Sequence, residues 1–127
     1  MERGAAEMKT SILIVDDEEN LLVLLDRILS KDGFQVKTAT NAYQALKLLE
    51  NENFNLAILD IKMFPIDGIT LLVELRRRSP TTRVIMVTAY PTPDSRSECI
   101  KQGAAMFLTK PLDLNQLKSA AHSLAPG

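Results

Sequence analysis

The chain has 127 residues, of which 46% are hydrophobic and 24% are charged, and its formal net charge is −1. This length fits one domain, and a chain of this size buries roughly two-thirds of its unfolded surface without needing a disulfide or a structural metal. The small net charge gives no support for direct binding of nucleic acid through bulk charge.

The N-terminal residues 1–8 are rich in charged side chains and lack the apolar segment of a signal peptide, so we expect a loose tail before a domain over residues 9–127. The apolar run 11–15 then predicts a strand buried on both faces, and Asp16 and Asp17 follow it directly. No apolar run approaches the roughly 20 residues of a membrane span. The single cysteine favours a reducing compartment, so we expect a cytoplasmic protein.

The next elements alternate between helix and strand. Leucines and isoleucines recur at helical spacing after the first strand, and Gly33 predicts the end of that helix. Residues 34–40 predict a weaker strand. Asn41, with Gln44 three residues later, predicts a capping box that opens the second helix.

A second strongly apolar run, 54–59, ends at Asp60, and a loop follows it. A helix is predicted over 69–78 and a strand over 83–88. The next predicted helix, 95–102, has few apolar residues, so we expect it to be the least firmly anchored helix.

The last predicted strand, 105–109, is followed by Lys110, and Asp113 with Gln116 predicts a further capping box before the final helix. Strand and helix thus alternate five times. Buried strands joined by crossover helices form a parallel sheet with helices on both faces, so the sequence predicts an α/β fold with five strands and five helices.

Polar residues stand where four of the predicted strands end. In an open parallel sheet, ligands bind outside the carboxyl ends of the strands. Each polar residue alone also fits a structural role, such as a helix cap, a loop residue, a strand threonine or a solvated lysine. Their combination at one edge favours a functional site. The residues are Asp16, Asp17, Asp60, Thr88 and Lys110.

Carboxylates this close repel one another, and a hard cation relieves the repulsion. Oxygen ligands without histidine or cysteine indicate Mg²⁺ or Mn²⁺ and not zinc. Beside such a cation the Asp60 carboxylate can attack phosphorus and form an aspartyl phosphate. The hydroxyl of Thr88 and the ammonium of Lys110 can then share the charge of the transferring oxygens.

These residues stand in segments that resemble the receiver domains of two-component response regulators. The resemblance covers about residues 9–124, with the family's order and spacing. The matching segments are Ile-Val-Asp-Asp-Glu at 14–18, Leu-Asp-Ile-Lys-Met at 59–63, Asp-Gly at 67–68, Val-Thr-Ala-Tyr at 87–90 and Leu-Thr-Lys-Pro at 108–111. The resemblance implies a doubly wound, flavodoxin-like sheet with strand order 2-1-3-4-5.

The resemblance also implies the roles of the acidic residues. Asp60 would be the phosphoacceptor, and Asp16 and Asp17 would be the acidic pair around Mg²⁺. Asp60 itself and the backbone carbonyl of Lys62 would complete the protein's ligands to the metal.

The remaining roles concern the switch that phosphorylation would operate. Thr88 would be the switch hydroxyl, and Lys110 would contact the phosphoryl group through a segment with a cis Lys110–Pro111 bond. Tyr90 would be the aromatic that moves between exposed and buried rotamers. The surface of the fourth helix, fifth strand and fifth helix would then change.

A protein of this kind would accept its phosphoryl group from a sensor histidine kinase or a phosphotransfer protein and control an effector domain or protein. A homodimer linked to phosphorylation also fits the resemblance. The domain would phosphorylate and dephosphorylate itself as a switch, without turnover as an enzyme. The alternative is a pseudo-receiver, a binding module that is never phosphorylated; the intact Asp60, Thr88 and Lys110 argue against it.

One position departs from the family pattern. Receiver domains commonly have proline directly after the methionine of the loop that follows the phosphoacceptor, but Phe64 stands there and Pro65 comes next. We interpret this as a tolerated loop variant. The alternative is that Phe64 is exposed beside the site and contacts a partner kinase.

Overall fold

The computed structural model describes residues 9–125, so the predicted tail over residues 1–8 lies outside the described residues. Strands and helices alternate along this range: β1 (Ser11–Val15), α1 (Glu19–Lys31), β2 (Gln35–Ala39), α2 (Ala42–Asn51), β3 (Leu56–Asp60), α3 (Gly68–Arg78), β4 (Arg83–Thr88), α4 (Pro93–Lys101), β5 (Met106–Thr109) and α5 (Leu114–Leu124). Among these helices, none is both long enough and apolar enough to cross a membrane.

The five strands form one sheet in the order β2-β1-β3-β4-β5, and every neighbouring pair is parallel. This arrangement confirms the predicted five-stranded, doubly wound fold. The carboxyl ends of all five strands therefore lie at one edge of the sheet, where crossover connections leave room for a site.

Two apolar cores cover the sheet because successive strand residues point to opposite faces. One core joins Leu13, Leu59 and Met86 with α2, α3 and α4. The other joins Ile14 and Ile58 with α1 and α5. The central strand β3 is buried along its whole length, which explains its continuous apolar run.

The two elements with the weakest apolar patterns, β2 and α4, are also weakly buried in the structure. The edge strand β2 is largely exposed, as its weaker apolar pattern predicted. Helix α4 buries only Cys99 among its own residues, in agreement with its expected loose anchoring. It begins at Pro93, two residues before the predicted start, because proline fits the first position of a helix.

Both predicted capping boxes form only in their first half. Asp113 accepts a hydrogen bond from the Gln116 backbone N–H, but no reciprocal bond from the Gln116 side chain to the Asp113 backbone occurs within residues 9–125. The side chain of Asn41 accepts a hydrogen bond from the Gln44 backbone, but Gln44 Oε1 accepts from the Thr40 backbone N–H instead of from Asn41. Each predicted reciprocal box is therefore wrong in its second half. A complete capping box occurs instead between Thr92 and Ser95 at the start of α4.

Candidate metal and phosphoryl site

The first two acidic residues follow β1 directly. The backbone N–H of Asp16 donates to the Ala39 carbonyl oxygen over 3.1 Å, which extends the pairing with β2 and fixes Asp16 at the sheet edge. The Asp16 side chain is buried, and its Oδ1 accepts a hydrogen bond of 2.9 Å from the backbone N–H of Glu18. Asp17 is exposed. Asp16 thus supports the turn into α1 through Oδ1, while its second oxygen, Oδ2, faces the site and contacts Lys110.

Asp60 is the last residue of β3 and is only 5% exposed. Carboxylate oxygens of Asp16, Asp17 and Asp60 all lie within 4.8 Å of one another. Burial, together with the neighbouring charges of Asp16 and Asp17, raises the pKa of Asp60 to about 6, although Lys110 and a backbone hydrogen bond from Lys62 oppose the shift. The cluster therefore holds an unfavourable concentration of negative charge.

Lys110 enters this cluster from the end of β5. Its Nζ lies 2.8 Å from Asp16 Oδ2, 2.7 Å from Glu18 Oε1 and 3.8 Å from Asp60 Oδ1. Burial lowers the pKa of the Lys110 ammonium, but the hydrogen bonds to Asp16 and Glu18 outweigh it and raise this pKa above its ordinary value. Lys110 is therefore held in its charged form inside the acidic cluster.

Thr88 ends β4, the strand beside β3, and its side chain is fully buried. Its Oγ1 accepts a hydrogen bond of 3.1 Å from the backbone N–H of Tyr90. The Tyr90 side chain is 69% exposed. The structure thus places Thr88 at the same sheet edge as the acids, with the Tyr90 side chain on the outside, and the movement of Tyr90 stays a prediction.

The sequence did not single out Phe107, an aromatic residue near Thr88. Phe107 pairs with Met86 in the register of β4 and β5, two positions before Thr88 and on the same face of the sheet. It is 7% exposed, and the guanidinium of Arg96 on α4 lies 5.4 Å from its ring centroid. The alternation of side chains along the two strands was the available signal, because it puts Phe107 on the face that α4 covers and beside Thr88.

Glu18 was also missed as a site residue. It belongs to the acidic segment after β1, and its position at the start of α1 gave it an ordinary structural explanation. Its contact with Lys110 spans 92 positions of sequence. Nothing in the local sequence around either residue shows such a contact.

The loop after Asp60 folds back closely on the strand. The Gly68 backbone N–H donates to the Ile61 carbonyl oxygen over 2.8 Å, and Asp67 caps α3 through a 2.9 Å hydrogen bond from the Thr70 N–H. The Lys110–Pro111 bond is cis, as the resemblance implied, and so is the Phe64–Pro65 bond. Phe64 is 85% exposed, and its contact with a partner kinase stays a prediction.

Gly68 is required where the start of α3 approaches the end of β3. A Cβ at this position would overlap the backbone carbonyl oxygen of Asp60, a rigid atom. We therefore expect Gly68→Ala to lower the free energy of unfolding by about 1–3 kcal/mol, the usual range for overpacking. Urea unfolding monitored by circular dichroism measures this change, and an unchanged midpoint would contradict the close approach.

The residues of this edge fit a hard divalent cation. The donor set is three carboxylates, one buried and at the end of a rigid central strand, one buried beside it and one exposed. Oxygen donors of this kind suit Mg²⁺, which takes one or two carboxylates and keeps several waters and phosphate oxygens. A cation would also relieve the mutual repulsion that raises the pKa of Asp60.

Comparisons with known proteins agree with this architecture. The family model described as the response regulator receiver domain matches residues 12–122. Sporulation initiation phosphotransferase F from Bacillus subtilis is 34% identical over 119 residues, which cover 94% of this chain and 96% of the relative. Transcriptional regulatory protein ZraR from Klebsiella oxytoca is 36% identical, but the match covers 87% of this chain and only 25% of that regulator.

Solved structures show the same fold. A receiver domain protein from Methanospirillum hungatei has a TM-score of 0.88 and 33% identity, with 91% of this chain and 92% of that chain covered. A response regulator from Burkholderia pseudomallei, solved with a phosphorylated aspartic acid and a calcium ion, has a TM-score of 0.83 and 28% identity over 92% of this chain and 67% of that chain. The chain therefore belongs to the response regulator receiver domains of two-component signalling.

Proposed function

We propose that this chain is a signalling switch in which Asp60 accepts a phosphoryl group from a sensor histidine kinase or a phosphotransfer protein. The observation that carries the proposal is the placement of Asp60 at the end of β3, buried between two other carboxylates and one lysine ammonium. With a pKa of about 6, the Asp60 carboxyl is mostly ionised at neutral pH and is available as a nucleophile.

In the transfer step, the bond between phosphorus and a nitrogen of the donor's histidine breaks as a bond from an Asp60 carboxylate oxygen to phosphorus forms. Asp16, Asp17, Asp60 and the backbone carbonyl of Lys62 would hold Mg²⁺, which supplies charge neutralisation at the phosphoryl oxygens. Lys110, which follows β5 at the same edge of the sheet, supplies a mobile positive charge. The same residues support hydrolysis of the aspartyl phosphate, so the domain resets without acting as a turnover enzyme.

The phosphoryl group carries about −1.5 to −2 of charge beside Thr88 and replaces the single negative charge of the Asp60 carboxylate. A shift from 1:99 to 99:1 between two conformations needs about 5.5 kcal/mol, and hydrogen bonds to charged groups are worth about 1.5–3 kcal/mol each. Contacts from Thr88 and Lys110 together approach that requirement. We propose that Thr88 moves toward the phosphoryl group and that Tyr90, Phe107 or both fill the space it leaves.

The output surface is the edge formed by α4, β5 and α5. Helix α4 should need the least free energy to shift because Cys99 is its only buried residue. Relatives that carry transcriptional regulator names exceed this chain several-fold in length, so an effector domain, a separate effector protein or a phosphorylation-linked homodimer could receive the signal. We also propose that the domain extends over residues 9–127 and works in the cytoplasm.

Phosphoryl transfer from a small donor tests the proposal directly. The purified chain is incubated with acetyl phosphate and Mg²⁺, and its intact mass is measured over time. We expect a single phosphoryl adduct that forms with Mg²⁺ and does not form when EDTA is added before the phosphodonor. A chain that gains no adduct would be a pseudo-receiver, the binding module described above, and the proposed function would be wrong.

A further inference from the structure

We infer that Glu18 is a positioning residue that holds Lys110 away from Asp60 and must release it when a phosphoryl group arrives. This inference rests on the proposed function of Asp60. It assigns to Glu18 a part in setting how readily the site accepts and keeps the phosphoryl group.

The distances at Lys110 Nζ carry the argument. Nζ is 2.7 Å from Glu18 Oε1 and 2.8 Å from Asp16 Oδ2, both within hydrogen-bond range, but 3.8 Å from Asp60 Oδ1. A lysine ammonium has only three N–H donors, and two of them are used by Glu18 and Asp16. Lys110 Nζ therefore rests about one ångström closer to Glu18 and Asp16 than to the proposed phosphoacceptor.

Both ends of the ion pair are fixed by backbone structure. Glu18 is the N-cap residue of α1, and its carbonyl oxygen accepts from the Leu21 and Leu22 N–H groups. The Lys110 backbone N–H donates to the Thr88 carbonyl oxygen over 2.9 Å. Since both backbones are anchored, an ammonium that moves toward an anion on Asp60 draws away from the resting position of the Glu18 carboxylate.

The contact with Lys110 is the role that the structure gives to the Glu18 side chain. It makes no capping hydrogen bond to α1, so its replacement does not remove a helix cap. Its side chain is 61% exposed, and a pair with one solvent-exposed partner is weak. Glu18 thus adjusts the availability of Lys110 without blocking it, and removal of this pair corresponds to an about two- to fivefold change in rate.

The variants Glu18→Gln and Glu19→Gln separate this effect from general charge. Both remove one negative charge at the start of α1, but within residues 9–125 the structure shows an ion pair to Lys110 for Glu18 and none for Glu19. Phosphorylation by acetyl phosphate in Mg²⁺ should be about two- to fivefold faster in Glu18→Gln than in Glu19→Gln. Equal rates, or a slower rate in Glu18→Gln, would overturn the inference.

A double-mutant cycle gives a readout that does not depend on activity. Urea unfolding in EDTA is measured for the wild type, Glu18→Gln, Lys110→Gln and the double variant. We expect the two substitutions to be non-additive, because each removes the same ion pair. Additive effects would overturn the inference even if the wild type is phosphorylated, whereas a coupled pair in a wild type that gains no adduct would show that the proposed function, and not the ion pair, is wrong.

Discussion

Asp60→Asn should make the metal-free protein more stable by about 2–3 kcal/mol above pH 7, while it abolishes phosphoryl acceptance. The gain follows from the raised pKa of Asp60, about 6 in the folded protein against an ordinary value of 3.8. Each pKa unit corresponds to about 1.4 kcal/mol of differential interaction between the two protonation states. The asparagine side chain keeps the shape of the aspartate but carries no charge.

The stability of the wild type should depend on pH because Asp60 binds its proton differently in the folded and the unfolded chain. Because the folded chain holds its proton on Asp60 more tightly than the unfolded chain does, stability falls as pH rises from about 4 to about 6 and then levels off. Asp60→Asn lacks this loss, so its advantage over the wild type should appear across that pH range. Below pH 4 the two proteins should be similarly stable with respect to this residue.

Urea unfolding in EDTA at several pH values measures the effect. Asp94→Asn is the matched control, since Asp94 is an exposed aspartate in the first turn of α4, away from the acidic cluster. Its effect should stay within about 0.5 kcal/mol, as for most surface substitutions. A wild type that is as stable as Asp60→Asn at pH 8 would contradict the charge repulsion on which the site depends.

Thr88→Ala should leave phosphorylation of Asp60 largely intact and uncouple it from the output surface. The Thr88 hydroxyl is fully buried beside the site, and a hydrogen bond to a charged group is worth about 1.5–3 kcal/mol. Its loss should lower the ratio of shifted to resting conformations in the phosphorylated protein by roughly 10- to 100-fold. Within residues 9–125, the only side-chain hydrogen bond that it removes in the resting structure is the one from the Tyr90 backbone N–H.

Amide chemical shifts of α4 and β5, recorded before and after phosphorylation, measure this ratio. Thr109→Ala is the control, because Thr109 pairs with Thr88 in the sheet register and is exposed. The control should shift like the wild type. If phosphorylated Thr88→Ala showed the full wild-type shift, the route from Asp60 through Thr88 to α4 would be wrong.

The fold could be predicted because the strands and helices of its core are marked by apolar patterns within short segments of sequence. The apolar runs ending at Val15 and Asp60 identify strands that are buried on both faces. Parallel strands bring their carboxyl ends together whatever the loops do, so the chemistry-bearing residues at those ends could be named as one cluster without any coordinates.

The features that the sequence did not predict depend on contacts between distant segments or on competing local roles. Phe107 is an apolar residue in a strand, and only the register with β4 places it beside Thr88. From sequence, the Glu18 side chain could either cap α1 or form an ion pair. Its contact with Lys110, 92 positions away, shows that it forms the ion pair. Gln44 Oε1 accepts from both the backbone N–H and the hydroxyl of Thr40, a pair of contacts that the capping-box pattern does not include.

Chemical mapping of the modified side chain tests the central claim most directly. Borohydride reduces an aspartyl phosphate to homoserine, so a chain treated with acetyl phosphate and Mg²⁺, then reduced and digested, can be examined by peptide mass spectrometry. The account predicts homoserine at position 60 in the peptide that contains Leu59 and Ile61, and none when Mg²⁺ is withheld. Homoserine at Asp16 or Asp17, or its absence from all three carboxylates, would contradict it.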